Sequence, residues 1–265
     1  MSNAFYRTAT TTVRALGLES AALAAHLLLY PTGLAPEPLP QAHPDCGHSS
    51  GHAPVLLLHG LFDNRSVFTL LRHSLRTHGW EHVHAVNHNP TSADIHTAAV
   101  LLGRHVVHAR RVYGGEQVAV VGHSLGGLIA RYYVQLLGGH EHVHSVVTLG
   151  TPHAGTLCAL PLYPIPIARQ LLPGSAVFDA LRAPAPHCDT RFLTFWGDHD
   201  PVTLPPGNVL LRHPDLRVEN VLAPGAGHLS LPVHPQVLAR LRRYLATAPT
   251  PSGLPQNDPG HRLSA

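Results

Sequence analysis

The run Gly122-His123-Ser124-Leu125-Gly126 has the form G-x-S-x-G, and its setting is what gives the serine chemical meaning. An apolar stretch at 117–121 leads into Gly122, and a helical pattern leaves from Leu125, so Ser124 falls on a strand-to-helix turn. A turn that sharp strains the serine backbone and needs glycine at 122 and 126, where a Cβ would collide. The Ser124 hydroxyl is then exposed at a helix N-terminus, whose N–H groups and dipole favour a developing oxyanion. A hydroxyl is a weak nucleophile until a base takes its proton and an acid holds that base.

Both partners are found downstream. Of the 24 histidines, His228 is the one in a glycine-rich loop (Gly225-Ala226-Gly227) after the last predicted strand, with candidate acids before it. Those acids are Asp198 and Asp200, in the loop after the preceding strand. Being two apart, only one is expected to face His228. Asp200 is assigned, because Pro201-Val202 can pack back on the sheet and fix the loop, while Asp198 binds loop amides. The order Ser124, Asp200, His228 suits nucleophilic acyl chemistry on loops that meet at the C-terminal ends of parallel strands. An oxyanion site needs two backbone N–H groups, and Leu125 and Leu61 are assigned to it; Leu61 lies in His59-Gly60-Leu61-Phe62, after the first core strand. Phe62, His123, Leu160, Leu162 and Ile165 are the candidate substrate-binding side chains.

The elements that position these residues alternate between strand and helix. Strands are predicted at 55–58, 83–86, 117–121, 143–149, 192–196 and 218–222, and helices at 66–78, 93–112, 125–137 and 238–245. That alternation predicts an α/β domain over 54–247, with a mostly parallel sheet and helices on both faces. Residues 1–30 read as a helical extension, 31–53 as a Pro/His/Gly-rich linker, and 248–265 as a disordered tail. Within the domain, 154–187 reads as a cap or lid: Leu160 to Ile167 carries three prolines and cannot be a regular helix.

Composition narrows the function classes. Net charge is only +3 and the basic residues, all arginine, are scattered, so no nucleic-acid partner is expected. Near Arg7 and Arg14, Glu19 interrupts the approach to the apolar stretch 21–30, which is too short to cross a bilayer. It predicts a helix packed on the domain or lying at a membrane surface. A cytoplasmic or membrane-associated monomer is expected rather than a secreted protein, since no small-x-small cleavage site follows. Three cysteines make no disulfide framework; free thiols are expected, with a Cys158–Cys188 bridge as the alternative. His82, His84 and His88, and His140, His142 and His144, have spacings that can bind metal. Neither group holds a cysteine or carboxylate to complete a tetrahedral set, so solvated histidines are expected, with no metal. So many histidines predict loss of stability in mild acid.

Together the segments Val55 to Phe62, Gly122 to Gly127, Val147-Thr148-Leu149-Gly150-Thr151-Pro152-His153, Asp200 and Gly227-His228 resemble the bacterial triacylglycerol lipase and lipase-like esterase branch of the α/β-hydrolases. The resemblance spans about 54–245. It implies the α/β-hydrolase fold, a cofactor-free Ser–His–Asp mechanism, a mobile apolar cap and lipid or lipid-like ester substrates. Residues 154–186 depart from the pattern. A same-triad acyltransferase, thioesterase or perhydrolase is the alternative; a non-catalytic, histidine-rich binding protein on this fold is a second.

Overall fold

The computed structural model describes residues 2–35, 37, 51–88 and 94–247, with side chains from Ala15 onward. Most of the expected linker, Cys46 and the expected tail lie outside these residues.

Six strands form one parallel sheet: β1 (Val55–Leu58), β2 (Val83–Val86), β3 (Val118–His123), β4 (Val143–Leu149), β5 (Arg191–Gly197) and β6 (Arg217–Ala223). Their spatial order is β2-β1-β3-β4-β5-β6. Strand β3, which delivers Ser124, is therefore central, and β5 and β6, which deliver the Asp200 and His228 loops, follow one after the other beyond β4.

Alternation along each strand builds two cores, because successive side chains point to opposite faces. Leu56, Leu58, Val118 and Val120 pack on one face with α3 (Ile95–Val112) and α4 (Leu125–Leu136). Val55, Leu57, Ala119 and Val121 pack on the other with α2 (Thr69–Arg76) and α7 (Pro235–Ala246). Continuous apolar strands are the signature of a parallel sheet covered on both sides.

The expected helix at 66–78 divides into a 3₁₀ turn, Arg65–Phe68, and α2. Asn64 caps the turn, its side chain accepting the Ser66 N–H at 2.9 Å. In the 154–187 region, a 3₁₀ segment Leu157–Leu162 leads to two short helices, α5 (Pro166–Gln170) and α6 (Ala176–Leu181). Pro166 starts α5, where its missing N–H costs nothing. Buried Arg131 on α4 ties this region down, donating to the carbonyls of His153 (2.9 Å) and Leu181 (3.0 Å).

The first helix is α1 (Ser2–Leu29). Leu16, Leu23, Leu27 and Leu28 are exposed, whereas Ala15 and Ala22 are buried and Glu19 and His26 are partly covered. Positions 15, 19, 22 and 26 share one helical face, and that face meets the domain. No helix among the described residues is long and apolar enough to cross a membrane.

Cys158 and Cys188 are free thiols. The histidines with metal-like spacing have protein partners: His84 Nε2 lies 2.6 Å from the Tyr113 hydroxyl, His142 Nδ1 2.7 Å from Arg110, and His144 Nδ1 2.9 Å from Ser145 Oγ. Strands β2 and β4, which carry these groups, are separated by β1 and β3.

Candidate active site

Ser124 has φ 53° and ψ −120°, and together with Phe62 (φ 62°) it accounts for the non-glycine residues at positive φ among those described. Left-handed backbone at a residue with a side chain is strained and has to be held by its surroundings. Here the Ser124 N–H donates to the Leu149 carbonyl at 2.8 Å, and the Ser124 carbonyl accepts from Gly127 N–H and Thr151 Oγ1. Glycine is required around it. A Cβ on Gly122 would stand 2.3 Å from the Gly127 nitrogen, and one on Gly126 2.0 Å from the Leu58 carbonyl oxygen.

Asp200 and His228 meet side chain to side chain: Nδ1 of His228 lies 2.8 Å from Oδ2 of Asp200, with both groups buried. The second carboxylate oxygen accepts the Val202 N–H at 2.7 Å. Burial alone would raise the Asp200 pKa, but the hydrogen bond and charge of His228 outweigh it and hold the carboxyl below its usual range. Asp198 points elsewhere, to His199 Nδ1 (2.8 Å) and the Gly225 N–H (2.7 Å).

Gly60 passes directly over the serine: a Cβ there would be 3.0 Å from the Ser124 Cβ. Leu61, next to Gly60, and Leu125 therefore flank Ser124, in the two segments expected to supply oxyanion donors. The Leu61 side chain is partly buried and packs against the core. Two histidines brace this loop from behind. The His59 ring accepts the His88 N–H at Nε2 (3.3 Å) and donates from Nδ1 to the Gly60 carbonyl (2.9 Å), while the His88 ring donates to the His59 carbonyl. Burial, with His88 beside it, pushes the His59 pKa down to about 4, so this ring is neutral.

The substrate-binding candidates divide. Phe62 and Leu160 are exposed, Leu162 and Ile165 half-buried. His123 is not a substrate contact: its ring is 1% exposed and both nitrogens are occupied. Nε2 donates to the His228 carbonyl at 3.1 Å, and Nδ1 lies 3.1 Å from Oδ2 of Asp63. Burial opposes charge on this ring, but the Asp63 hydrogen bond and charge prevail and raise its pKa. Asp63 is correspondingly lowered, against its own burial, by the His123 bond. A second buried His–Asp pair thus lies behind the first and links the Gly60 loop to the His228 loop. Sequence reasoning passed over Asp63; its signal is that it is the carboxylate immediately after His59-Gly60-Leu61-Phe62.

The chain has the α/β-hydrolase fold. The sequence model of the palmitoyl protein thioesterase family matches residues 54–181. Among solved structures, a Bacillus licheniformis lipase is similar with TM-score 0.61 and 17% identity, over 79% of this chain and 96% of that one. Lipase B of Aspergillus fumigatus gives TM-score 0.65 and 15% identity, over 76% of this chain and 54% of that one. A monoacylglycerol lipase of Paleococcus ferrophilus gives 0.52 and 18%, over 74% and 94%.

Proposed function

We propose that this protein hydrolyses carboxylic esters of lipids or lipid-like molecules through an acyl-enzyme on Ser124. The reading rests on one observation above others: the buried 2.8 Å contact of His228 with Asp200 beside a serine held at φ 53°. In this mechanism Ser124 Oγ attacks the ester carbonyl while His228 Nε2 takes its proton, and Asp200 holds the Nδ1–H tautomer. The tetrahedral oxyanion rests on the Leu61 and Leu125 amides. The His228 proton then goes to the departing alcohol, and water, activated by the same histidine, releases the acid.

A lipid substrate is favoured by the exposed apolar side chains Leu157, Leu160 and Tyr163 on the cap, with Phe62 on the oxyanion loop. The thioesterase family match supports a second reading with the same residues, in which the leaving group is a thiol. Matched O- and S-esters separate the two. Rates are measured on p-nitrophenyl esters from acetate to palmitate and on palmitoyl thioesters, with Ser124→Ala alongside. The expected result is a preference for longer O-esters that disappears in the variant. A thioester rate far above that of the matched O-ester would establish the second reading, and full activity in Ser124→Ala would end both.

A further inference from the structure

The N-terminal helix reaches the loop that carries His228. Leu229 donates its N–H to Glu19 Oε1 at 2.7 Å and Ser230 donates to Oε2 at 3.0 Å, although Glu19 lies 210 residues before Leu229. One carboxylate thus caps the two backbone donors directly after the histidine. Such charge-assisted bonds are among the stronger ones available to a backbone N–H. The contact is close enough to fix the sequence of the loop: a Cβ on Gly227 would stand 2.4 Å from Glu19 Oε2. The same helical face presents His26, whose Nε2 is 3.5 Å from Asp63 Oδ1. Asp63 holds His123, and His123 donates to the His228 carbonyl. Helix α1 therefore grips the His228 loop from both sides, at the amides after the histidine and, through Asp63 and His123, at its own carbonyl.

We propose that Glu19 is a positioning residue for His228, making α1 a working part of the catalytic unit rather than an appendage. This rests on the serine-hydrolase reading above. The carboxylate touches no reacting atom; it fixes the loop so that the imidazole stays between Asp200 and the serine. A displacement of about 1 Å at such a group costs roughly 100-fold in rate. Losing Glu19 should therefore lower turnover while leaving substrate binding alone.

The test uses the full chain, with Glu19→Ala, Glu19→Gln, Gly227→Ala and the Glu19→Ala/Gly227→Ala double variant. Leu28→Ser, on the exposed face of α1, is the control. Each is assayed on p-nitrophenyl butyrate below its own unfolding midpoint, and the downfield proton resonance of His228 Nδ1–H is recorded. We expect kcat to fall on the order of 10- to 100-fold in Glu19→Ala with KM within about twofold. Glu19→Gln, which keeps acceptor capacity, should fall less, and the Nδ1–H resonance should broaden or shift. Gly227→Ala displaces the same carboxylate, so the double variant should lose little more than either single one. Leu28→Ser should match the wild type. A folded Glu19→Ala with wild-type kcat, or additive losses in the double variant, would overturn the proposal while the wild-type activity and its loss in Ser124→Ala left the hydrolase reading standing. A wild type with no Ser124-dependent activity would remove both.

Discussion

Gly150 stands against the Asp200–His228 pair. At its φ of 59°, a Cβ would lie 3.1 Å from His228 Nδ1 and 3.2 Å from Asp200 Oδ2. The glycine in the Thr148-Leu149-Gly150-Thr151-Pro152 run is thus a floor under the two side chains as well as a turn residue. Gly150→Ala should cost about 1–2 kcal/mol for the left-handed backbone and push on the pair as well. The expected result is a kcat/KM loss larger than the change in urea midpoint explains. Wild-type kinetics in Gly150→Ala would mean the pair tolerates a methyl group beneath it.

Asp63 and His123 predict a contrast between two substitutions. Removing the carboxylate with Asp63→Ala leaves the buried Nδ1 of His123 without its partner, a loss on the order of 1–3 kcal/mol. Asp63→Asn lets a neutral His123 accept from the amide while Nε2 still donates to the His228 carbonyl. Chemical denaturation should therefore rank wild type, Asn and Ala in that order, with Asn much nearer the wild type. Equal losses for both would show that this pair is not held by complementary donors and acceptors.

Acid should unfold the protein through its buried histidines. Burial brings His59, His84 and His144 to a pKa of about 4 in the folded state, against 6.5 when free. Folded pKa values are lowered, so the unfolded chain binds more protons as pH falls. The stability these groups contribute is complete above about pH 6.5 and is lost progressively down to about pH 4, on the order of 3 kcal/mol each. His123, with its raised pKa, works in the opposite sense, its contribution present at low pH and fading as pH rises through its folded value. Three lowered groups outweigh one raised. Unfolding midpoints should fall steeply between pH 6.5 and 4; a flat profile there would contradict the burial of these rings.

The two carboxylates of the β5 loop give a further test. Asp200→Asn should lower kcat on the order of 10³- to 10⁴-fold, because the amide cannot hold the His228 tautomer. Asp198→Asn loses a charge-assisted bond to the Gly225 N–H, an effect of about 1–2 kcal/mol on stability, and should keep most activity. Reversal of that order would move the acid to Asp198.

Much of this architecture is legible in the residues themselves. The apolar strand runs and the helical periodicity between them predict the six strands and the α/β layering. The proline after Asp200 marks the carboxylate that faces His228, because a local turn fixes it. What escapes is set by packing between distant segments. Glu19 reads as a charge interrupting an apolar helix, and nothing near it in sequence says that it lies under Leu229. His123 reads as a pocket residue because it adjoins Ser124; its in-facing position on β3, between Asp63 and the His228 carbonyl, is a fact of tertiary register. Which face of α1 docks is likewise a matter of tertiary packing: two small alanines, Ala15 and Ala22, and two polar side chains, Glu19 and His26, occupy it.

The most direct test of the central claim is the site of covalent modification by a fluorophosphonate. The intact protein is treated with the probe, digested and sequenced by mass spectrometry, with Ser124→Ala and His228→Ala in parallel. One adduct on Ser124, absent from Ser124→Ala and formed far more slowly in His228→Ala, is the predicted result. Modification of another residue, or none under conditions in which the protein hydrolyses esters, would contradict a nucleophile at Ser124.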